Sequence, residues 1–240
     1  ENCDLDVISK FTVPPYLESS KKIIKALRGY SADNLSKLMN TSEKISELNY
    51  NRNIKWSLPF NKSNSLQALL MFKGDVYKGI SVKDFNKDDF LFAQKSLRIL
   101  SGLYGILKPL DLIQPYRLEM GTQLQIGKHR NLYDFWGDEI TNILNSDKNN
   151  DYLINLASVE YFKSINVDNL KSKLINVSFK EKRDGKYKII AIYSKRARGL
   201  MSRYIIKNKI IDPKSLKKFN LEDYKFNKTL SSDSDLVFTR

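Results

Sequence analysis

Apolar residues recur along the chain at two different spacings, which predicts a mixture of helices and strands. Helical spacing appears in residues 16–27 after a Pro-Pro pair, in residues 90–100 after two aspartates, and in residues 132–144. Proline in a first turn and acidic residues at the start of a helix both favour helix formation. We therefore expect helices in these three segments, and small helices between residues 33 and 48.

Short apolar runs and alternating patterns predict the strands. Residues 66–72 (LQALLMF) fit a buried strand or a short helix, and residues 152–157 (YLINLA) fit a buried strand. Alternating residues on both sides of Asp184-Gly185, a type I′ turn signal, predict a hairpin over residues 174–193. With a last strand at LVFT and no visible domain boundary, the pattern predicts one α/β (mixed α+β) domain over residues 1–240.

The composition excludes several classes of protein and site. Of the 240 residues, 41% are hydrophobic and 11% aromatic, which is enough to fill a core and too much for a disordered polyelectrolyte. One cysteine, Cys3, and one histidine, His129, exclude a disulfide framework and any site built on two histidines, so we predict no metal. Phosphate-loop and dinucleotide motifs are absent, so we predict no cofactor. No apolar run approaches the ~18 residues that cross a bilayer, so we predict no membrane partner.

The net charge of +14 is concentrated in one part of the chain. Residues 171–218 contain sixteen Lys or Arg against three acidic residues, a net charge of +13, whereas the other 192 residues have a net charge of +1. Focused positive potential attracts polyanions, because binding to phosphates releases condensed counterions. The segment therefore fits either a nucleic-acid interface or a lysine-rich face that is only solvated.

Within this segment, residues 195–209 predict a basic helix. Lys195, Arg196 and Arg198 fall in its predicted first turn, and Arg203 lies further along. The helix dipole disfavours cations at this end, and the planar fork of arginine suits phosphate. We therefore expect anion binding there.

A second candidate contact lies outside the basic segment, in residues 89–117. A predicted helix is followed by a turn at Gly102 and Gly105 and by a resumed apolar pattern, with Arg98 and Lys108 nearby. A helix–hairpin–helix of this kind lets backbone N–H groups approach a duplex phosphate. The same residues also fit an ordinary helical turn in a core, and spacing alone slightly favours that interpretation.

Five blocks of sequence resemble the YaaA peroxide-stress protein family. They are FKGDVYKG (72–79), DFLFAQ with LRILSGLYGILKPLDLIQPYRLEMG (89–121), LYDFWGD (132–138), INLASVEYF (154–162) and KRARGLMSR (195–203). The resemblance runs from about Thr12 to the C-terminus, and the long second block is highly specific.

The resemblance implies a bacterial cytoplasmic protein linked to hydrogen peroxide resistance and to limiting free intracellular iron. It also implies a single compact α/β domain of unusual topology, with a helix-hairpin-helix element and DNA binding. Family members begin with a short strand and a Ser-Pro-Ala/Ser-Lys-Thr-like motif that this sequence lacks. We expect any site that uses those residues to be incomplete here.

Taken together, these features predict a sequence-nonspecific DNA-binding protein whose partner is double-stranded or branched DNA, with no stable protein partner. The residues expected to contact DNA are Arg98, Gly102, Gly105, Lys108, Lys195, Arg196, Arg198 and Arg203. The alternative is an enzyme of unknown reaction on a small anionic substrate. In that case Lys73, Arg117 or Arg198 would hold the anion, and Asp75 or Glu160 would act as acid or base.

Overall fold

The first half of the chain is mainly helical. The computed structural model describes residues 9–147 and 151–240. The elements are α1 (Leu17–Leu27), α2 (Ala32–Met39), α3 (Glu43–Lys55), β1 (Leu66–Gln67), α4 (Ala68–Met71), α5 (Asp75–Ile80), a 3-10 turn (Val82–Asp84) and α6 (Lys87–Ser96). The prediction of a helix over residues 16–27 is confirmed. Residues 66–72 form a short strand followed by a short helix, so both interpretations of that run hold in part.

Residues 97–113 form strands where the sequence pattern predicted helices. Strand β2 (Ile99–Ser101) pairs antiparallel with β3 (Gly105–Leu107), and β4 (Leu112–Ile113) pairs with β1. Helix α6 ends four residues before Leu100, because the backbone becomes extended at Leu97. The predicted helix–hairpin–helix was therefore wrong, since residues 97–131 contain only strands and loops.

The second half of the chain alternates strands with helices. Its elements are α7 (Leu132–Trp136), α8 (Glu139–Ser146), β5 (Tyr152–Asn155), α9 (Val159–Phe162), β6 (Lys173–Arg183), β7 (Lys186–Lys188), α10 (Ala191–Lys207), β8 (Lys225–Phe226) and β9 (Asp235–Thr239). Four 3-10 turns lie at Val167–Asn169, Pro213–Lys218, Leu221–Asp223 and Lys228–Leu230. The helix predicted over residues 132–144 is divided at Gly137, whose φ of +46° is incompatible with a continuous helix.

Strand β6 is the centre of a five-stranded sheet. Its neighbours β5 and β9 both run parallel to it, β8 pairs antiparallel with β9, and β7 pairs antiparallel with the far end of β6. The predicted hairpin turn is confirmed, because Asp184 and Gly185 both have positive φ, as a type I′ turn requires. The strands predicted at residues 152–157 and at LVFT are confirmed as β5 and β9, and the mixed helix and sheet class is confirmed with them.

Helix α10 packs against the sheet on one side and against α5 on the other. Its sheet side carries Ala197, Leu200 and Met201, which join the aromatic core around Phe179. On the other side Gly199 lies so close to α5 that an added Cβ would stand 1.9 Å from the carbonyl oxygen of Val76. The close crossing of α5 and α10 fixes the basic helix in the single domain.

Candidate functional site

The two hairpin glycines lie in the core. Residues 101–107 are all buried. A Cβ on Gly102 would stand 2.5 Å from the carbonyl oxygen of Leu118, and one on Gly105, where φ is +69°, would stand 2.9 Å from the Trp136 ring. The Trp136 indole N–H also donates to the Gly102 carbonyl at 3.0 Å. Close packing therefore accounts for both glycines, and this backbone faces protein rather than solvent.

The two cations beside the hairpin have different environments. Arg98 donates to the carbonyls of Gln94, Lys95 and Leu97 at the end of α6, and pairs with Asp147 at 3.2 Å. Cations are favourable at this end of a helix. The side chain of Lys108 is exposed and forms no ion pair with a described residue, although its backbone N–H donates to Asp111 at 2.7 Å and its charge attracts that carboxylate. Arg98 thus closes a helix, whereas Lys108 keeps an exposed ammonium group.

Helix α10 begins four residues before the predicted start. The alternation in residues 190–193 fits a first helical turn as well as a strand, and the chain enters the helix at Ala191. Lys195, Arg196 and Arg198 therefore lie in the second turn, and their predicted place in the first turn was wrong. The dipole argument for an anion at this helix end does not apply to them.

Two of the α10 arginines hold neighbouring parts of the protein together. Arg196 pairs with Glu222 at 2.6 Å. Arg203 pairs with Asp84 at 2.5 Å and donates to the carbonyls of Ile80 and Ser81. The hydrogen bond from Arg203 to the Asp84 carboxylate is the main cause of the lowered pKa of Asp84. Both arginines are already engaged by carboxylates.

Lys195 and Arg198 have no acidic partner among the residues that the structure describes. Lys195 is exposed, and Arg198 is half-buried with one hydrogen bond, from Nε to the Ser194 carbonyl at 3.3 Å. Burial lowers the pKa of Arg198. A partly buried guanidinium without a carboxylate is a favourable place for an anion.

The end of the β6–β7 hairpin extends beyond the rest of the sheet. The register of β6 with β9 ends at Lys180, one further backbone hydrogen bond runs from the Lys182 N–H to the Arg240 carbonyl at 2.8 Å, and beyond Lys182 the strand pairs only with β7. We call residues 180–188 the basic arm. Its cations are Lys180, Lys182, Arg183, Lys186 and Lys188. None of the five forms an ion pair with a described residue, and residues 182–189 are all exposed.

A buried ion pair fixes the base of this arm. Glu181 is buried and accepts from Arg240 at 2.9 Å and from the Tyr224 hydroxyl. The Arg240 guanidinium also lies over the rings of Tyr193 and Tyr224. Burial and the Glu181 carboxylate raise the pKa of Tyr224. The sequence pattern missed this cluster, since its members are far apart in the chain.

Two of the four candidate catalytic residues lie near each other. Arg117 pairs with Glu119 at 2.8 Å, and Glu160 accepts from the backbone N–H of Gly121 at 2.8 Å. Burial, together with the carboxylates of Glu160 and Glu119, raises the pKa of Tyr161 to about 12. Arg117 and Glu160 therefore flank a tyrosine that remains neutral at pH 7.

Lys73 and Asp75 precede and begin α5, beside an aromatic cluster. Phe72 stacks on Tyr77 at 5.0 Å and meets Tyr116, the neighbour of Arg117, at 6.1 Å. Asp75 pairs with Lys78 at 3.0 Å, and the Lys73 side chain is exposed. The ring contacts connect the chain next to Lys73 with the chain next to Arg117, but no hydrogen bond or ion pair joins Lys73 or Asp75 to Arg117 or Glu160.

In residues 9–147 and 151–240, no group of three or more His, Cys, Asp or Glu side chains is close enough to hold a metal ion. None of the helices in that part of the chain combines the length and the apolar character needed to cross a bilayer. Cys3 lies outside the described residues.

Comparison with known proteins identifies the family. Residues 2–230 match the model of the peroxide stress protein YaaA. A UPF0246 protein of Acaryochloris marina is 52% identical over 231 residues, which cover 96% of this chain and 92% of the relative. UPF0246 proteins of Neisseria meningitidis serogroup A and Saccharophagus degradans are 49% and 50% identical, over 97% and 96% of this chain and 91% of each relative. The resemblance in the sequence blocks is confirmed: the chain belongs to the peroxide stress protein YaaA family.

Proposed function

We propose that this protein binds double-stranded or branched DNA without sequence preference in the bacterial cytoplasm during peroxide stress. The observation that carries the proposal is the basic arm, with five cations that have no acidic partner among the described residues. Bound DNA would be shielded from radicals formed by peroxide and ferrous iron. The family resemblance also implies a role in limiting free iron, and this role would likewise protect DNA from these radicals.

The shape of the basic arm suits a duplex. A two-stranded β-ribbon fits the major groove of B-DNA, and lysine or arginine side chains on both of its faces can reach phosphates. Lys182 points to one face of the ribbon, while Arg183 and Lys186, which lie opposite each other, point to the other. Contacts to phosphates carry no sequence information, so an arm that binds mainly through phosphates would bind without sequence preference.

The proposed DNA contacts differ from those expected from sequence. Arg98, Arg196 and Arg203 are held by carboxylates, and Gly102 and Gly105 are buried. Of the eight expected residues, Lys108, Lys195 and Arg198 keep side chains without an acidic partner in the described part of the chain. We therefore assign the interface to the basic arm together with these three.

Charge reversal on the arm tests the proposal. In the triple variant Lys182→Glu, Arg183→Glu and Lys186→Glu, affinity for a labelled duplex, measured by fluorescence anisotropy, should fall at least about tenfold. Over a salt series, the slope of log affinity against log salt should decrease by roughly 0.9 for each phosphate contact removed. All duplex sequences should be affected alike.

The matched control is Lys21→Glu, Lys22→Glu and Lys25→Glu on α1. These lysines are also exposed and without ion pairs to described residues, and the change in net charge is the same. The control should keep most of the affinity. Equal loss of affinity in both variants would show that the interaction depends only on the net charge of the protein. Absence of DNA binding by the wild type would refute the proposal.

A second candidate function, an enzyme for a small anion, is favoured by the position of Arg117 and Glu160 on either side of Tyr161. An arginine can hold an anionic group, and a carboxylate beside a neutral phenol can exchange a proton with it. The rings of Phe72, Tyr77 and Tyr116 are partly buried and pack against the core beside this position.

Calorimetric titration with inorganic phosphate and with AMP tests this candidate. Binding should be lost in Arg117→Ala and kept in Arg130→Ala, a change at an exposed arginine that has no ion pair among the described residues. Absence of binding of either probe to the wild type would leave this candidate without support, whatever the result with DNA.

A further inference from the structure

The basic arm carries an exposed aromatic ring beside its cations. Tyr187 lies directly opposite Lys182 in the β6–β7 pair, so the two side chains share a face. Residues on the opposite face of β6, such as Phe179 and Glu181, point into the core and are buried. The face with Tyr187 is solvent-exposed, and 39% of the tyrosine is accessible.

Ile189 extends the apolar part of this face. It follows β7 by one residue, and the antiparallel register continued from Lys188 brings it beside Lys180. Ile189 is 61% exposed. Strand propensity explains a tyrosine or isoleucine within a strand, but Ile189 lies outside β7, so propensity does not account for its exposure. Tyr187 and Ile189 thus form a small exposed apolar patch beside Lys180 and Lys182.

We propose that Tyr187 is a stacking platform for unpaired bases, so that the arm binds single-stranded segments as well as duplex. The inference rests on the proposed function and names the DNA structure that the arm recognises. Bases stack on aromatic side chains whatever their sequence, while neighbouring cations follow the phosphates. Tyr187 and Ile189 supply the apolar contact, and Lys180 and Lys182 supply the charge on the same face.

Charge favours nucleic acid over other occupants of this surface. The arm beyond Glu181 has one acidic residue, Asp184, and it lies in the turn. Of the four cations there, Lys182 shares the face of Tyr187, and Arg183, Lys186 and Lys188 lie on the other face, so both faces of the ribbon present positive charge to phosphates. An intact duplex keeps its bases stacked on one another, so only DNA with unpaired bases can use the tyrosine ring.

The test compares Tyr187→Ala with the wild type on two labelled DNAs, an oligothymidylate and a blunt duplex of equal length. Loss of one stacked base should weaken oligothymidylate binding about tenfold and change duplex binding less than about twofold. Tyr187→Phe should bind as the wild type does, because stacking needs only the ring. Tyr152→Ala is the matched control, since Tyr152 is 44% exposed on β5, away from the arm.

A fluorescent base analogue gives a direct readout. When 2-aminopurine replaces one base of the single strand, wild-type protein should quench its emission more than Tyr187→Ala does. Equal loss of both DNAs in Tyr187→Ala, or no loss of either, would overturn the inference and leave the proposed function standing. If Tyr187→Ala lost binding to vesicles of anionic phospholipid while its DNA binding stayed unchanged, the inference would also be overturned. If the wild type binds neither DNA, both the inference and the proposed function fail.

Discussion

A single buried carboxylate, that of Asp89, joins α6 to the C-terminal end of α10. Its side chain is 3% exposed and accepts from Lys207 at 2.9 Å and from Lys209. It also accepts from the backbone N–H of Asn86 at 3.1 Å, in a reciprocal capping box. Burial alone would raise the pKa of Asp89, but the hydrogen bonds from Lys209, Lys207 and Asn86 hold it below its ordinary value.

The variant Asp89→Asn should destabilise the protein by about 2 kcal/mol. An asparagine keeps the shape and an oxygen for the Asn86 N–H, but it removes the charge that faces two lysines. Removal of one partner from a buried ion pair costs about 3–5 kcal/mol. The side chains of Lys207 and Lys209 are 33% and 36% exposed, so water solvates their ammonium groups when the carboxylate is removed. We therefore expect a loss of about 2 kcal/mol, below the range for a fully buried pair.

Urea unfolding measures this free energy. The midpoint should fall in Asp89→Asn with an unchanged slope m, since the surface exposed on unfolding is the same. The matched control is Asp88→Asn, one residue earlier on α6, where the aspartate is exposed and without an ion pair to the described residues. That change should alter stability by at most about 0.5 kcal/mol.

The pH dependence gives an independent check. Because the pKa of Asp89 is lowered in the folded protein, its stabilisation is present above the ordinary pKa of about 4 and is lost as the pH falls through the lowered value. The difference in stability between wild type and Asp89→Asn should therefore be full near neutral pH and shrink in acid. Equal stability of the Asp89→Asn and Asp88→Asn proteins, or a difference independent of pH, would refute the reasoning.

Three further changes test the close packing of α10 on α5 and the buried charge at the base of the basic arm. Gly199→Ala should lower stability by about 3 kcal/mol or more, because its Cβ would clash with the Val76 carbonyl, whereas Gly74→Ala, with its nearest contact at 4.0 Å, should be nearly neutral in thermal unfolding. Glu181→Gln should cost about 3 kcal/mol, because it removes the buried carboxylate and leaves Arg240 only the more distant Glu222 carboxylate at 3.8 Å. Tyr224→Phe should cost about 1 kcal/mol, and both changes are measured by chemical denaturation.

Local signals allowed part of this fold to be predicted from sequence. The Asp184-Gly185 turn needs positive φ at two successive residues, and few residue pairs other than Asn-Gly and Asp-Gly adopt it easily. Ser158 caps α9 by accepting from the backbone N–H of Tyr161, which is a contact within three residues of the chain. Such features depend on neighbours within a few residues, so the sequence contains the whole reason for them.

Residues 97–107 could not be assigned from spacing, because their structure depends on distant contacts. The run is apolar at nearly every position, and a run buried on all sides fits a strand and a helix equally. What decides between them is packing against Leu118 and Trp136, which leaves room only for glycine at positions 102 and 105. The glycines were recognised as necessary, but the reason assigned to them, approach of a phosphate, was one of two that the sequence left open.

The same distance effect explains why charge counted along the chain overestimates the charge that α10 offers to a ligand. Arg196 and Arg203 pair with Glu222 and Asp84, and Lys207 and Lys209 with Asp89, three acids that all lie outside residues 171–218. The net charge of a segment therefore overestimates its unpaired cations when acidic residues elsewhere in the chain pair with them. The basic arm extends beyond the sheet, where no described acid reaches its lysines, so it keeps the positive charge that helix α10 has largely lost to ion pairs.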